Sequence, residues 1–252
     1  LIATAKGSVD IPLGDVAGIL LSKIPGVNIE GSWAPGWETI VLQVRLPRVL
    51  IAGLVGAALS LSGATYQGLF RNPLADPYLL GIAGGAGLGA TLVLISPLQA
   101  SVYTVSALPF VAFAGALAAA AIAYLIARVG KTVPMTTLVL AGVAIAALTS
   151  AITSFLLMAG REDIRVIFAW LLGGFSTSNW GKMPLVLPYL IPSAAFILLH
   201  GRILNVMQLD EEQAHQLGVP VERTKLLLLG AASLATAAAV SVSGLIGFVG
   251  LV

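Results

Sequence analysis

Few residues in this 252-residue chain have types and spacings that could do chemistry. Gly130, Lys131 and Thr132 read as the end of a phosphate-binding loop, in which backbone N–H groups and a lysine cradle phosphates. That loop needs another glycine five residues before Gly130, and Leu125 stands there. The residues before it form an apolar run rather than a strand, so a basic helix end is the better reading. His200 and His215 flank the acidic group Asp210, Glu211 and Glu212. The two histidines lack the i, i+4 spacing that pairs metal ligands on one helix face. A solvated, acidic helix start accounts for the group. No Ser/His/Asp arrangement is visible, and the serines in apolar runs have no base beside them. What remains is the stretch 45–89, RLPRVLIAGLVGAALSLSGATYQGLFRNPLADPYLLGIAGGAGLG. It combines a basic threshold, a small-residue span, a short polar turn and a second small-residue span.

The composition sets the solvent in which that stretch works. Hydrophobic residues make up 58% of the chain and charged residues 10%, with a mean hydropathy of +0.99. Soluble domains carry about 25% charged residues, so the bilayer is the natural environment. A net charge of +2, without a basic patch interleaved with aromatics, gives no support for nucleic-acid binding. The absence of cysteine removes disulfides, thiol catalysis and cysteine metal sites. No cofactor is expected. The first twelve residues lack the basic end and apolar core of a secretory signal.

Taken in order, residues 1–44 read as an interfacial segment. A short amphipathic helix is expected over 11–21, with Asp10 as its cap, followed by a loop whose Trp33 and Trp37 favour the membrane surface. Apolar spans are expected at 49–70, 78–95, 107–127, 135–159, 183–199 and 226–252. The turn 71–77, RNPLADP, ends the first span, because each proline disfavours helix at the residue before it. Residues 166–175 are too short to cross and read as an interfacial or re-entrant helix. Pro188 and Pro192 are expected to bend the fifth span. Residues 200–225 form the longest hydrophilic stretch. Gly81, Gly85 and Gly89 share a helix face that lets another backbone come close. Charge does not orient the chain: Arg71, Arg128, Lys131, Arg202, Arg223 and Lys225 on one set of loops face Lys6, Lys23, Arg45, Arg48, Arg161, Arg165 and Lys182 on the other. The predicted fold class is therefore all-α, a polytopic helical membrane protein with about six spans.

Residues 56–63 read GAALSLSG and 237–244 read AAAVSVSG, with five of eight positions identical. They fall in an odd and an even span, which run in opposite directions, as in an inverted-topology repeat. On that reading the second copy is cut short and the chain is a fragment. The spans hold no Asp, Glu or His of the kind that proton and sodium relays use, so energy is expected to come from another subunit.

Six stretches carry a resemblance through nearly the whole chain, in order: RLPR (45–48), SGATYQGLFRNPLADPYLLGIAGGAGLGA (62–90), TTLVLAGVAIAALTS (136–150), WLLGGF (170–175), HQLG (215–218) and SGLIGFVGLV (243–252). The sequence resembles the membrane permease of type II ATP-binding-cassette importers for iron-siderophores, haem and vitamin B12. The resemblance implies a ten-span inverted-repeat fold, of which this chain lacks a first span and about three at the end. It implies a bacterial or archaeal plasma (inner) membrane location, with residues 45–252 as the permease domain. RLPR would face the periplasm, and RNPLADP and 200–225 the cytoplasm. It implies a second permease copy as homodimer or pseudo-dimer, ATPase subunits, and a periplasmic or lipid-anchored substrate-binding protein as partners. Arg45 and Arg48 resemble the arginines that pair with glutamates of the binding protein; their plainer reading is interfacial anchors. Asp210, Glu211, Glu212, Gln213, Ala214, His215, Gln216, Leu217 and Gly218 resemble the coupling helix that sits in a cleft of the ATPase. Asn72 and Thr136 fall near the cytoplasmic gate. The chain itself would hydrolyse nothing, and an iron-siderophore is the first expectation for its cargo. The rivals are a secondary carrier independent of an ATPase, and an intramembrane enzyme.

Overall fold

The structure, a computed structural model, describes residues 1–26, 31, 33–96, 102–159, 164–209 and 211–251. Among the described residues all regular structure is helical, apart from an isolated bridge between Val129 and Thr132. Contacts divide the chain into two units, 1–54 with 175–184, and 55–174 with 185–252.

The first unit begins with a single turn, α1 (Ile2–Ala5), and a longer helix, α2 (Leu13–Leu21). The latter starts later than its apolar pattern suggests. Pro12 occupies the N-cap position without a side-chain cap, while the Asp10 carboxylate lies 3.5 Å from Lys6 with both groups exposed. Val16 and Ile19 of α2 are buried with Ala5, Ile11 and Val41, and Trp33 and Trp37 pack against this cluster. The tryptophans thus cover a small core of their own chain. Gly18 leaves room for the Trp33 ring, which would stand 3.1 Å from an added Cβ.

The long helix α3 (Trp37–Phe70) crosses from this unit into the next. Its turn Ile40–Arg45 is wide, with π-type bonding, and regular helix follows over Leu46–Phe70. Pro47 has no N–H to give to Gln43, and the widened turn, in which the Leu46 N–H donates to the Val41 carbonyl, lies just before it.

Beyond α3 the chain continues as α4 (Ile82–Leu94), α5 (Val102–Ala127), α6 (Met135–Ala159), α7 (Ile164–Leu171), α8 (Met183–Leu199), α9 (Gly201–Met207), α10 (Glu211–Gln216) and α11 (Val221–Ser243). Five helices among the described residues are long and apolar enough to cross a membrane: Trp37–Phe70, Ala107–Ala127, Met135–Ala159, Trp180–Leu199 and Val221–Ser243. Leu140, Phe155 and Met158 of α6 are exposed, as hydrocarbon-facing side chains are. Both prolines of α8 lie inside one helix.

Two expected spans differ. The second is not a helix over 78–95. Asp76 caps a 3-10 turn, Pro77–Leu80, by accepting from the Tyr78 N–H at 2.8 Å. Gly81 then takes a positive φ of 76°, and α4 has only 13 residues, about 20 Å of rise against roughly 30 Å of hydrocarbon. In the last apolar segment the α-helix stops at Ser243. Gly244 ends α11 with φ 69° and ψ −162°, a conformation essentially reserved for glycine.

Small residues hold the second unit together. Gly85 of α4 and Gly115 of α5 each abut the other's carbonyl oxygen, and a Cβ at Gly89 would meet the Val111 carbonyl. On the other side of α4, Gly84 abuts Thr149 of α6, and Gly142 abuts the Leu79 carbonyl. Gly81 belongs to the hinge before α4 rather than to its helical face. Between α3 and α11, the Ser62 hydroxyl donates to the Ala232 carbonyl at 3.0 Å and Tyr66 Oη shares a 2.8 Å bond with Ser233 Oγ. Such polar links substitute in lipid for the missing hydrophobic drive between helices. The two repeat segments diverge here: the chain stays helical through Gly63 to Phe70 but leaves the helix at Gly244.

Candidate functional site

The two arginines of RLPR are placed very differently. Arg45 closes the wide turn of α3 and is 8% exposed. Its Nη1 donates to the Thr4 carbonyl at 2.9 Å and the Ala5 carbonyl at 2.7 Å, and its Nη2 donates to the Val9 carbonyl. Gly7 lets the chain wrap the guanidinium, which would stand 2.7 Å from an added Cβ. The charge is thus enclosed by carbonyls that have no helical partner, a charge-assisted cap on the end of α1. In this arrangement the Arg45 Nη donors are directed into its own chain. Arg48, one turn on, is half-buried; its Nη2 donates to the Ser176 carbonyl at 3.0 Å and its Nε is buried without a partner. Both arginines line a pocket of about 250 Å³ together with Lys6, Val9, Ile40 and Val44. The segment 175–184 is tied to α3 a second time by Trp180, whose Nε1 donates to the Leu42 carbonyl at 2.9 Å.

In the turn 71–77, Arg71 adopts a left-handed φ of 52°. Asn72 is exposed and its Oδ1 accepts from the Leu74 N–H at 2.9 Å, fixing the turn locally. Thr136 is exposed in the first turn of α6.

The hydrophilic stretch folds into two short helices. Asp210 lies outside the described residues, and so does the side chain of Glu211. Among the described side chains of α10 only Ala214 is buried, at 0% exposure, and it joins the main core of its unit. Glu212, Gln213, His215 and Gln216 are exposed, and Leu217 is exposed to 66%. Gly218, at φ 82°, reverses the chain. Its N–H donates to the His215 carbonyl at 2.9 Å and the Val219 N–H to the Ala214 carbonyl at 3.1 Å, a Schellman-type stop. Among its described side chains, this short polar helix is seated on the Ala214 methyl group, with Glu212, Gln213, His215 and Gln216 facing outward.

Two features escape a reading by composition. Lys225, only 3% exposed, lies 2.9 Å from Glu222 Oε1. Glu222 Oε2 also accepts from the Val133 N–H at 3.0 Å, which ties the hairpin Val129–Thr132 to the first turn of α11. An i, i+3 acid–base pair at a helix start is the signal for it. The second is the non-helical end of the chain. Tyr78 Oη donates to the Ile246 carbonyl at 2.9 Å and accepts from the Ile246 N–H at 3.2 Å, and Gln67 Nε2 donates to the Gly250 carbonyl at 3.0 Å. Its signal is the triplet Gly244, Gly247 and Gly250 inside an apolar run.

Comparison with known proteins places these features in a wider set. The sequence pattern of the FecCD transport family matches residues 1–252. The chain is 46% identical over 215 residues to the cobalamin import system permease protein BtuC of Halobacterium salinarum, covering 85% of this chain and 57% of that protein. It is 41% identical over 215 residues to the hemin transport system permease protein HmuU of Yersinia pestis, covering 84% of this chain and 64% of that protein. The chain therefore spans roughly three-fifths of the length of these two relatives. A solved structure, described as an inward-facing ABC transporter of proposed metal-chelate type, superimposes with a TM-score of 0.79 at 31% identity. It covers 94% of this chain and 74% of that one.

Proposed function

Because the chain belongs to the FecCD transport family, we propose that it is the membrane-spanning permease subunit of an ATP-binding-cassette importer for a metal chelate: an iron-siderophore, haem or cobalamin. The observation that carries this reading is α10, a helix set between two spans whose described side chains face outward except for the buried Ala214. Such a helix suits a receiving surface on another protein, here the ATPase, with residues 210–218 as the coupling element. The spans support the same division of labour. Residues 49–70, 102–127, 135–159, 183–199 and 226–243 contain no Asp, Glu, Lys, Arg or His, so they offer no intramembrane proton relay.

The chelate is delivered by a binding protein at the RLPR face. Arg48 reaches a carboxylate of that partner, and Arg45 holds the platform on which Arg48 stands. A second permease copy completes the pathway, in the plasma membrane. Asn72 and Thr136 stand at its cytoplasmic gate. The test is uptake by the full-length protein, reconstituted in vesicles with its ATPase and binding protein. Cobalamin, haem and a ferric siderophore are supplied separately. ATP-dependent accumulation of one of them is expected. Accumulation that persists without the ATPase, driven by an ion gradient, would overturn the proposal.

A further inference from the structure

The end of α11 is built as a break, and the break is held by side chains from elsewhere. Gly244 leaves the helix in a conformation that a residue with a Cβ would strain to adopt. The Gly244 N–H still donates to the Val240 carbonyl at 2.9 Å, and residues 245–248 then lie outside regular structure before a 3-10 turn at Val249–Leu251. A backbone in that state must find partners for its N–H and carbonyl groups, most of all in a protein surrounded by lipid, where non-helical backbone is tolerated only when buried or lining a cavity.

Ser243 Oγ donates to the Gly244 carbonyl at 3.0 Å, and two polar side chains from elsewhere in the chain supply further partners. The single hydroxyl of Tyr78 bonds both the carbonyl and the N–H of Ile246, and Gln67 bonds the Gly250 carbonyl. Two close approaches accompany these bonds: Gly63 of α3 abuts the backbone of Gly250, and Gly173 abuts the carbonyl of Leu245. Between the two pins the chain bows outward. Gly247 is exposed, and Phe248 is 74% exposed with a positive φ of 65°. A large aromatic side chain in the left-handed region is a rare and costly arrangement, and such strain persists only where surrounding contacts enforce it. Tyr78 itself sits in the 3-10 turn of the other interrupted helix, between the 71–77 turn and Gly81. Two broken helices therefore meet, joined by one phenolic hydroxyl.

The geometry points to Tyr78 as a positioning residue: it latches residues 244–251 in a strained, bowed form, and the segment is a movable element of the transport pathway with Phe248 at its tip. The role in the pathway rests on the permease reading; the latch itself does not. Gln67 is the second, weaker pin, because it engages one backbone group where Tyr78 engages two. When the latch opens, the freed strain of Phe248 favours rearrangement of the segment, and the tip moves.

The experiment uses the full-length protein in lipid vesicles on a background with no other cysteine. Phe248→Cys reports the tip and Lys131→Cys, on an exposed hairpin of the same unit, reports general loosening. The rate of reaction with a water-soluble maleimide is measured at each, with and without Tyr78→Phe, which removes only the hydroxyl. The expected result is a rise of at least fivefold at position 248 with less than a twofold change at 131. Gln67→Met is read in the same way and is expected to raise the rate at 248 about threefold, so the proposal stays testable if Tyr78→Phe does not fold. An unchanged rate at 248 in the folded variants, or an equal rise at both positions, overturns the latch. Failure of ATP-driven uptake by the unmodified assembly would instead remove the permease reading and leave the labelling result standing.

Discussion

Two cations within four residues of each other show how little a spacing says about the use of a side chain. Arg45 is enclosed by the carbonyls of Thr4, Ala5 and Val9, while Arg48 keeps part of its guanidinium accessible. Replacing Arg45 by alanine would take a charged donor from the buried carbonyls of Thr4 and Ala5 and the partly buried carbonyl of Val9, a loss of about 3 kcal/mol. The expected outcome is faster amide exchange over residues 1–11, with little change in the second unit. Arg45→Lys should rescue only part of this, because one ammonium cannot reproduce the planar fork. Arg48→Glu should leave that exchange pattern intact and weaken binding-protein affinity about tenfold or more in a direct titration. In RLPR the two positions look equivalent, because what separates them lies some forty residues upstream. Nothing local to the motif records that contact. The Glu222–Lys225 pair follows the same logic. Glu222→Ala removes the carboxylate facing a buried ammonium and the acceptor of the Val133 N–H. Its cost is expected near 3 kcal/mol, whereas Lys225→Met removes the charge along with its burial penalty and should cost clearly less. Thermal unfolding of the two variants in one detergent decides the order.

At the scale of the elements, glycine does two jobs that the sequence records unequally. The spacing of Gly85 and Gly89 is legible as a packing face, and the structure sets both against backbone carbonyls of α5. The shortness of α4 is less legible, since 78–95 is uniformly apolar and only the local bonding of Asp76 and the positive φ of Gly81 interrupt it. The same holds for 244–251, where apolar composition argues for helix and three glycines argue against it. Hydropathy reports burial in lipid; it does not report whether the backbone is bonded along its own helix or to a neighbour. Helix boundaries elsewhere follow the pattern closely, as at Met135–Ala159. A contrast between two glycines tests the packing. Gly85→Ala places a methyl group against the Gly115 backbone, which cannot swing aside as a side chain could, so a loss of about 2–3 kcal/mol is expected. Gly230, in α11, has nothing within 4 Å of an added Cβ, and Gly230→Ala should be neutral or stabilising by up to about 1 kcal/mol. Melting temperatures of the two purified variants should move in opposite directions, or the second should stay unmoved.

For the whole molecule the central question is where force enters. Residues 49–70, 102–127, 135–159, 183–199 and 226–243 hold no Asp, Glu, Lys, Arg or His, so on the proposed function the conformational cycle would be driven from outside the bilayer. The short helices after α8 are the natural place, because α10 touches its own unit through Ala214 and turns every other described side chain outward. Two sets of substitutions separate seat from surface. Changing Glu212, Gln213 and Gln216 together to lysine alters only exposed positions, so folding and the melting temperature should hold. Association with the ATPase should fall at least tenfold in co-purification, and ATP-dependent uptake should fall with it. Ala214→Leu acts from beneath: the added methyl groups must displace core neighbours or lift the helix, a strain of about 1–3 kcal/mol. If the helix lifts as a body, the ATPase still binds, but each hydrolysis event moves α10 without moving α11, and uptake per ATP drops more than binding does. Equal losses of binding and uptake in both variants would mean that α10 is only an attachment point. Undiminished uptake in the lysine variant would mean that force enters elsewhere.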